Sequence, residues 1–365
     1  MSKYPEWLTG RYFGGSFVAD TPGNAESAGN WPEGESAPGA RDCCNVLLDI
    51  CNSPDSSEIP VFVFLIGGAG NGKSYLAKDV TNSLRGSRVD KKGTFASRTY
   101  EYELENGGTL YVVNDATIPP KNSTEKRDYL IKDISGALEA GSSMLACVNR
   151  GILVSEANVG LDGESDDYRL GRTLVRWLLN GEIREEDGDE GRPRLDIPDD
   201  LGSSGYYTFC KITGPEGDRA YVHVAFMDQC SLFEPFPTIN AGNSSGNGPI
   251  LRPSTPKLEP ISRAHRAQAE LPGKDVLSGL CDRVEQEIQS SELPGGDLDP
   301  VKANIRCLSD REVLHGVCNI VRAAEVISGS HMTYRDVWGL AVIALLGPIP
   351  AEGLQGYESW VAARA

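Results

Sequence analysis

The stretch that decides the fold is VFVFLIGGAGNGKSYLAKDV, residues 61–80. Residues 61–66 are apolar and mostly β-branched or aromatic, a composition that predicts a buried strand. Residues 67–74, GGAGNGKS, match the phosphate-loop pattern G-x-x-x-x-G-K-[ST], and residues 75–84 continue with helix-forming side chains. The order of strand, loop and helix makes an ordinary glycine-rich turn a poor alternative.

Each residue type in this loop meets a physical requirement of phosphate binding. Glycines permit backbone angles that turn successive N–H groups toward an anion, and the following helix directs the positive end of its dipole at the same place. Lys73 would contact the β- and γ-phosphates, and the Ser74 hydroxyl would ligate Mg²⁺. We therefore expect the chain to bind a nucleoside triphosphate. The predicted binding residues in the loop are Gly68, Ala69, Gly70, Asn71, Gly72, Lys73, Ser74 and Tyr75.

Two further apolar runs end in polar residues that fit the same chemistry. The strand LYVVND, residues 110–115, ends at Asp115, whose carboxylate could hold the Mg²⁺ shell through water. The strand SMLACVN, residues 143–149, ends at Asn149, which could orient an attacking water or the γ-phosphate. In both cases a strand-closing turn residue is the alternative interpretation.

The chain divides by composition into four segments. Residues 1–40 are rich in Gly, Pro, Ser and Asn with isolated aromatics, which indicates an irregular arm that docks by those aromatics or is partly disordered. Residues 41–235 alternate strand and helix patterns, and 236–262 is typical of a linker. Residues 263–365 have apolar positions at spacings of three and four, which predict a helical domain.

The alternation of strands and helices predicts a parallel sheet with helices on both faces. The stretch 182–206 and an apparent hairpin, 209–226, are larger than a minimal nucleotide-binding module needs. The predicted strands are 61–66, 94–104, 108–114, 143–149, 206–212 and 221–227, and the predicted helices are 42–52, 75–84, 125–140, 166–180, 274–290, 309–328 and 332–346.

Composition restricts the class of protein. The net charge of −17 disfavours, without excluding, direct binding of nucleic acid, because such proteins usually present a basic face. No run of 18 apolar residues predicts a membrane span, and the start lacks the apolar core of a signal peptide. Nine cysteines without a C-x-x-C pair fit a reducing cytoplasm better than disulfides or a zinc site. His223, inside the apolar run AYVHVAFMD, is expected to be structural.

At this point the chain resembles the AAA+ ATPases over residues 40–346. GGAGNGKS corresponds to their Walker A motif, LYVVND to Walker B and LACVN to the sensor-1 strand. The segment MTYRDVW, residues 332–338, is similar to the start of a lid helix, in which Thr333 would be the cap and Arg335 the sensor-2 arginine. The resemblance implies ATP and Mg²⁺ as ligands, and a P-loop α/β domain followed by a small all-helical lid. A surface role is the alternative for Arg335.

AAA+ proteins complete each site with an arginine from a neighbouring subunit, so the resemblance implies a homo-oligomeric ring that acts on a protein partner. Arg184 lies nearest the usual position of that arginine. Arg169, Arg172 and Arg176 follow one face of the predicted helix 166–180 and remain alternatives, as does a solvated role for each.

The chain also departs from the AAA+ pattern. Ala116 follows Asp115 where many relatives carry a catalytic glutamate, so the general base is unassigned, with Asp115 and Glu125 as candidates, and slow hydrolysis is expected. Divergent features such as VNDAT and CVNRGIL resemble AAA+ ATPases of bacterial antiphage systems, such as the ATPase subunit of RADAR-type systems.

Other functions remain open from the sequence. A STAND-like signalling switch with little turnover is favoured by the alanine at position 116. A small-molecule kinase is disfavoured by the long helical C-terminal region, and a GTPase by the missing N-K-x-D signature. The final ESWVAARA ends without a cap, which leaves open that the chain is part of a longer protein.

Overall fold

The computed structural model describes most of the chain and divides it into two compact units. The α/β unit comprises Ser36–Cys230 and Pro237–Lys257, and the helical unit comprises Met1–Glu35, Ser231–Phe236 and Leu258–Ala365. The described residues are 4, 39–54, 59–89, 98–120, 128–159, 165–181, 192–197, 206–234, 239–242, 250–253, 271–289, 293, 295–347 and 353–363.

The α/β unit contains the predicted phosphate loop. Its helices are α1 (Ala40–Cys51), α2 (Lys73–Asn82), α3 (Tyr129–Glu139), α4 (Arg150–Glu156) and α5 (Asp166–Asn180). Its strands are β1 (Val61–Ile66), β2 (Gly86–Val89), β3 (Thr99–Leu104), β4 (Thr109–Val113), β5 (Ser143–Val148), β6 (Arg194–Asp196), β7 (Tyr207–Gly214), β8 (Gly217–Phe226), β9 (Ile239–Gly242) and β10 (Ile250–Pro253).

Within the described residues, eight strands form one mixed sheet in the order β2-β3-β4-β5-β1-β8-β7-β6. The central strands β4, β5, β1 and β8 run parallel to one another. The outer strands pair antiparallel on both sides. The strand that leads into the phosphate loop, β1, therefore lies between β5 and β8.

The sheet is mixed and not parallel throughout as predicted, although the predicted hairpin 209–226 is confirmed by the antiparallel pairing of β7 with β8. The strand order also differs from the usual order of P-loop proteins. The physical reason is the length of the connections. Residues 105–108 join β3 to β4, and residues 215–216 join β7 to β8. A parallel pair needs a crossover of a dozen or more residues, so these short turns can join only antiparallel strands. Gly107, at φ 82°, supplies the left-handed conformation that the first of these turns requires.

Helices cover both faces of the sheet, and the side chains of β1 show how. Phe62, Phe64 and Ile66 pack in one apolar cluster with residues of α3, α4 and α5. Alternate residues of the same strand pack in a second cluster with α1 and α2. Because successive side chains of a strand point to opposite faces, one fully buried strand joins both clusters.

The helical unit has its own apolar core. Three of its helices match the predicted apolar periodicity. The helix at Pro300–Ser309 was not predicted, and the helix at Gly353–Ala362 overlaps the C-terminal stretch ESWVAARA, whose sequence is helix-like. Tyr4, an aromatic residue of the predicted N-terminal arm, is buried in this core and donates a 2.8 Å hydrogen bond to Asp299. The helices are α6 (Pro272–Gln289), α7 (Pro300–Ser309), α8 (Arg311–Ser328), α9 (Tyr334–Leu346) and α10 (Gly353–Ala362), with a 3-10 turn at Gly296–Leu298.

Three further observations bear on the sequence predictions, and they concern the linker, membrane spans and His223. In the predicted linker 236–262, β9 and β10 pair antiparallel. Among the described residues, no helix combines the length and apolar character that crossing a membrane requires. His223 is fully buried against Tyr207, and burial lowers its pKa to about 3, so the imidazole is neutral and structural, as predicted.

Candidate phosphate-binding site

The phosphate loop connects β1 to α2 and depends on glycine at two positions. Gly70 and Gly72 have φ values of 91° and 83°, in the left-handed region that side-chain-bearing residues rarely adopt. Gly72 is the residue from which α2 begins, so its conformation aims the first turn of the helix at the loop. A Cβ on Gly67 would lie 3.1 Å from Asn71 Oδ1, so a larger residue there would require the Asn71 side chain to shift by a few tenths of an ångström.

Lys73 is buried, and its ammonium group lies against the first carbonyls of the loop. Nζ donates hydrogen bonds to Gly67 O at 2.7 Å and to Gly68 O at 2.6 Å. A positive charge is thus held at the N-terminus of α2, where the helix dipole also favours an anion. The loop therefore concentrates two independent sources of positive potential.

Ser74 and Asp115, the two predicted metal-site residues, belong to adjacent parts of the structure. Ser74 Oγ lies 3.4 Å from Asn114 O, the carbonyl that directly precedes Asp115. Asp115 Oδ1 accepts hydrogen bonds from Thr117 N at 2.8 Å and from Thr117 Oγ1 at 2.6 Å. This turn fixes the carboxylate just beyond the end of β4.

Ala116 gives no candidate for a general base. Its side chain is 2% exposed and packs in the apolar cluster of α3 and α5. Its N–H donates to Cys147 O at 3.3 Å, which holds the chain after β4 against β5. Glu125, the other carboxylate considered from the sequence, lies outside the described residues.

Cys147 lies beneath the loop and was not identified from the sequence. Its thiol hydrogen-bonds Ser74, and it lies close enough to Lys73 and Asp115 for both charges to influence its pKa. Burial raises its pKa to about 12, so the thiol is neutral near pH 7. A small neutral side chain here lets α2 pack closely on β5.

Asn149, the predicted sensor residue, occupies the junction of β5 and α4. Its backbone is extended, at φ −91° and ψ 143°, and its side chain makes no capping hydrogen bond to the helix. Its carbonyl accepts from Ile152 N at 3.0 Å. Because β5 is the direct neighbour of β1, this amide side chain is placed at the same sheet edge as the loop.

The base of the loop is hydrogen-bonded to both neighbouring strands. Gly67 N donates to Val148 O at 3.1 Å on the β5 side, and Ile66 O accepts from Met227 N at 2.7 Å on the β8 side. Asn71 Nδ2 donates to Met227 O at 3.3 Å. Within the described residues, the buried Asn71 Oδ1 has no hydrogen-bond partner.

An arginine–aspartate pair connects the ends of β5 and β8, the two strands on either side of β1. Arg150 Nε donates to Asp228 Oδ2 at 2.6 Å and Nη2 to Oδ1 at 2.8 Å, a bidentate geometry that raises the arginine pKa. The guanidinium also lies over the Phe226 ring at 5.4 Å. Sequence reasoning missed Asp228, although a carboxylate directly after the apolar run 220–227 is the same signal that identified Asp115.

The far end of α4 is anchored by Glu156. Its buried carboxylate accepts hydrogen bonds from Leu130 N at 3.1 Å and Ile131 N at 3.0 Å, at the start of α3. Burial raises the pKa of Glu156 to about 7; Arg98 opposes the shift and Asp133 adds to it. Arg98 and Asp133 form a buried ion pair with each other.

The candidate arginines differ in their surroundings. The Arg169 side chain is 27% exposed and lines a shallow pocket with Arg192 and Arg194, which sequence reasoning had not considered. Arg172 is buried, and Arg176 Nε donates to Ala157 O at 2.9 Å. Arg184 lies outside the described residues.

Arg335 belongs to the helical unit and is the second residue of α9. The predicted cap of this helix is confirmed: Thr333 Oγ1 accepts from Asp336 N at 3.3 Å, and Asp336 Oδ2 accepts from Thr333 N at 2.9 Å. The reciprocal bonds form a capping box. The function of Arg335 at a nucleotide stays a prediction.

Comparison with protein-family models, with curated proteins and with solved structures gives no match for this chain. Among the described residues, no three His, Cys, Asp or Glu side chains are grouped so as to hold a metal ion by themselves. The candidate site is thus defined by its own geometry.

Proposed function

We propose that this chain binds ATP with Mg²⁺ at the loop of residues 67–74 and is an AAA+-like module. The observation that carries the proposal is the loop itself. Two left-handed glycines, a buried ammonium group and a helix N-terminus converge on one short segment. In combination these groups bind the phosphates of a nucleotide, because each contributes an N–H donor or positive charge.

The residues around the loop fit a hydrated Mg²⁺ ion better than a metal bound by protein alone. Ser74 would supply one oxygen ligand, and Asp115 would hold water molecules of the metal shell. Both hydrogen bonds from Thr117 go to Oδ1 of Asp115, so Oδ2 would be the oxygen that accepts hydrogen bonds from these water molecules. The metal ion would neutralise negative charge on the phosphates.

Hydrolysis by this site is expected to be slow. Ala116 supplies no carboxylate, and its side chain packs in an apolar cluster. Asn149 and Asp115 would then position the attacking water without a dedicated strong base. The resulting enzyme would be an ATPase of low turnover.

The direct test is nucleotide titration of the wild-type protein with ATP, with adenosine and with ATP lacking Mg²⁺. Binding of ATP that depends on its phosphates and strengthens with Mg²⁺ is expected. Equal affinity for adenosine and ATP would contradict the proposal, because the loop contacts phosphates and no base.

The specific environment of Ala116 favours a second candidate, a STAND-like switch in which nucleotide exchange carries the signal. Analysis of the protein-bound nucleotide after several hours separates the two. An ATPase contains mostly ADP, whereas a switch retains intact ATP.

The resemblance to AAA+ proteins further leads us to propose a homo-oligomeric ring that drives or gates a protein partner, in the manner of bacterial antiphage ATPases. Arg169 and Arg184 are the residues proposed to act across the subunit boundary. Mixing Arg169→Ala or Arg184→Ala subunits with Lys73→Ala subunits should restore part of the lost turnover at mixed interfaces. A monomer in the presence of ATP, with turnover per chain independent of concentration, would contradict the ring.

A further inference from the structure

The phosphate loop starts between two strand ends that are not neighbours of each other. β5 and β8 both pair with β1, so about 10 Å, two strand spacings, separates them. At this point Gly67 N donates a hydrogen bond to Val148 O, and Met227 N donates one to Ile66 O. Any change in the separation of the two strand ends would therefore reorient the first residues of the loop.

Only a long side chain can connect these two ends directly. Arg150 follows Val148 by two residues, and Asp228 follows Met227 by one, so their ion pair joins the strand ends beside the hydrogen bonds that hold the loop. The planar guanidinium and its stacking on Phe226 restrict the pair to one geometry.

We propose that Arg150 and Asp228, here named the strand clamp, are positioning residues that hold β5 and β8 at the separation at which the phosphate loop binds nucleotide. The proposal rests on the proposed function, since it names how that same site is preorganised. Arg150 directly follows Asn149 and begins α4, so the clamp also fixes the backbone that carries the Asn149 amide. Neither member of the pair needs to contact the nucleotide for this effect.

Strand β8 offers a matched control. At its other end Arg219 contacts Asp167 at 2.5 Å and 3.2 Å, and the two side chains are 31% and 16% exposed. The clamp side chains are 36% and 22% exposed, so the two pairs are alike in burial, and both are bidentate. They lie about 30 Å apart along the strand, and Arg219 therefore cannot affect the loop directly.

The experiment compares Asp228→Asn with Asp167→Asn by three measurements: the Kd for ATP, the thermal midpoint, and hydrogen exchange of loop amides 67–72 without nucleotide. We expect Asp228→Asn to raise the Kd about tenfold, the effect of losing one charge-assisted bidentate contact, and to speed exchange in the loop. Asp167→Asn should lower the thermal midpoint to a similar extent while leaving both loop readouts unchanged. Asp228→Glu, which keeps the charge, should restore part of the affinity.

Two results would overturn the clamp. One is unchanged loop exchange in Asp228→Asn, and the other is the same rise in Kd for both variants, which would indicate a general loss of stability. Failure of the proposed function looks different, because the wild-type protein itself would then bind no ATP. The exchange measurement needs no nucleotide, so it decides the clamp in that case as well.

Discussion

The two ends of the central parallel strands use similar chemical groups in different arrangements. At the carboxyl ends lie the left-handed Gly72, the buried Lys73 and the strand clamp. The amino ends contain a left-handed glycine as well, Gly141 at φ 61°, and the Arg219–Asp167 pair. There, the hydroxyl of Ser143 accepts a 3.2 Å hydrogen bond from Val61 N.

The difference between the ends lies in what the polar groups contact. At the amino ends the groups satisfy one another or the backbone and close the structure. At the carboxyl ends, two left-handed glycines turn the backbone that leads into Lys73, whose ammonium group contacts loop carbonyls. Asp115 directly follows Asn114, whose carbonyl lies 3.4 Å from the Ser74 hydroxyl. A left-handed glycine or an ion pair therefore does not by itself indicate a binding site. Its position at the carboxyl ends or at the amino ends of the strands distinguishes the candidate site from a purely structural contact.

The largest effect is expected from removing Lys73, the buried cation at the carboxyl ends of the strands. Lys73→Ala removes the charge held at the loop, and we expect the Kd for ATP to rise at least about 100-fold, the value of a charge-assisted bond to phosphate. Titration with a fluorescent ATP analogue measures it. Lys132→Ala, which removes an exposed lysine from α3, is the control and should leave the Kd unchanged. Unchanged affinity in a folded Lys73→Ala protein would end the phosphate-loop assignment.

Asp115→Asn tests whether the carboxyl ends of the strands support ATP turnover as well as ATP binding. The amide keeps the shape of the side chain but not its charge, so ATP binding should persist while Mg²⁺-dependent phosphate release falls roughly tenfold to 100-fold. A steady-state phosphate assay measures the rate, with Asp167→Asn at the amino ends as the control. Turnover near the wild-type rate would reduce Asp115 to a strand terminus.

The third prediction concerns the pH dependence of stability from Glu156 at the end of α4. Its pKa in the folded protein, about 7, exceeds the ordinary value of 4.5, so its stabilising contribution is complete below pH 4.5 and is lost as the pH rises through 7. We expect a loss on the order of 1 to 3 kcal/mol over this window. Arg98 and Asp133 face the same group: Arg98 lowers the pKa of Glu156 and Asp133 raises it, while burial also raises the pKa of Asp133.

Urea denaturation at several pH values measures this dependence. Glu156→Gln should flatten the decline in unfolding free energy between pH 4.5 and pH 7, whereas Glu139→Gln, on α3, should retain it. An identical slope in Glu156→Gln and the wild-type protein would assign the decline to other groups.

The smallest expected effect compares two glycines. Gly72→Ala and Gly141→Ala each place a side chain in the left-handed region, at an expected cost of about 1 to 2 kcal/mol in unfolding free energy. Only Gly72→Ala should also weaken ATP binding, because its backbone aims the first N–H groups of α2. Equal ATP affinities in the two variants would show that the loop tolerates the change.

Much of the α/β unit could be predicted because its signals are local. The strands that end in Asp115 and Asn149, the helix 166–180 and the loop 67–74 each depend on residues that are contiguous in the chain. At the edges of the sheet, the hairpin of β7 and β8 was predicted, whereas the antiparallel pairing of β3 with β2 and β4 was not. Antiparallel and parallel strands have the same apolar patterns, and only the short turns at 105–108 and 215–216 indicate the direction of pairing.

Asp228 illustrates the limit for the candidate site. Its partner Arg150 is 78 residues away in sequence, and no local pattern connects the two. The same is true of Glu156, which caps a helix that begins 27 residues earlier at Tyr129. Cys147 reads as an ordinary core cysteine until α2 is placed against β5.

The sequence by itself determined the glycine-rich loop 67–74, the apolar strand before it and the helix after it, because backbone conformation over a few residues depends on glycine placement and apolar periodicity. The tertiary structure alone decided the strand order, the pairing of Arg150 with Asp228 and the anchoring of α4 by Glu156. Those contacts join segments that only folding brings together, and their stability comes from burial and charge pairing across the sheet.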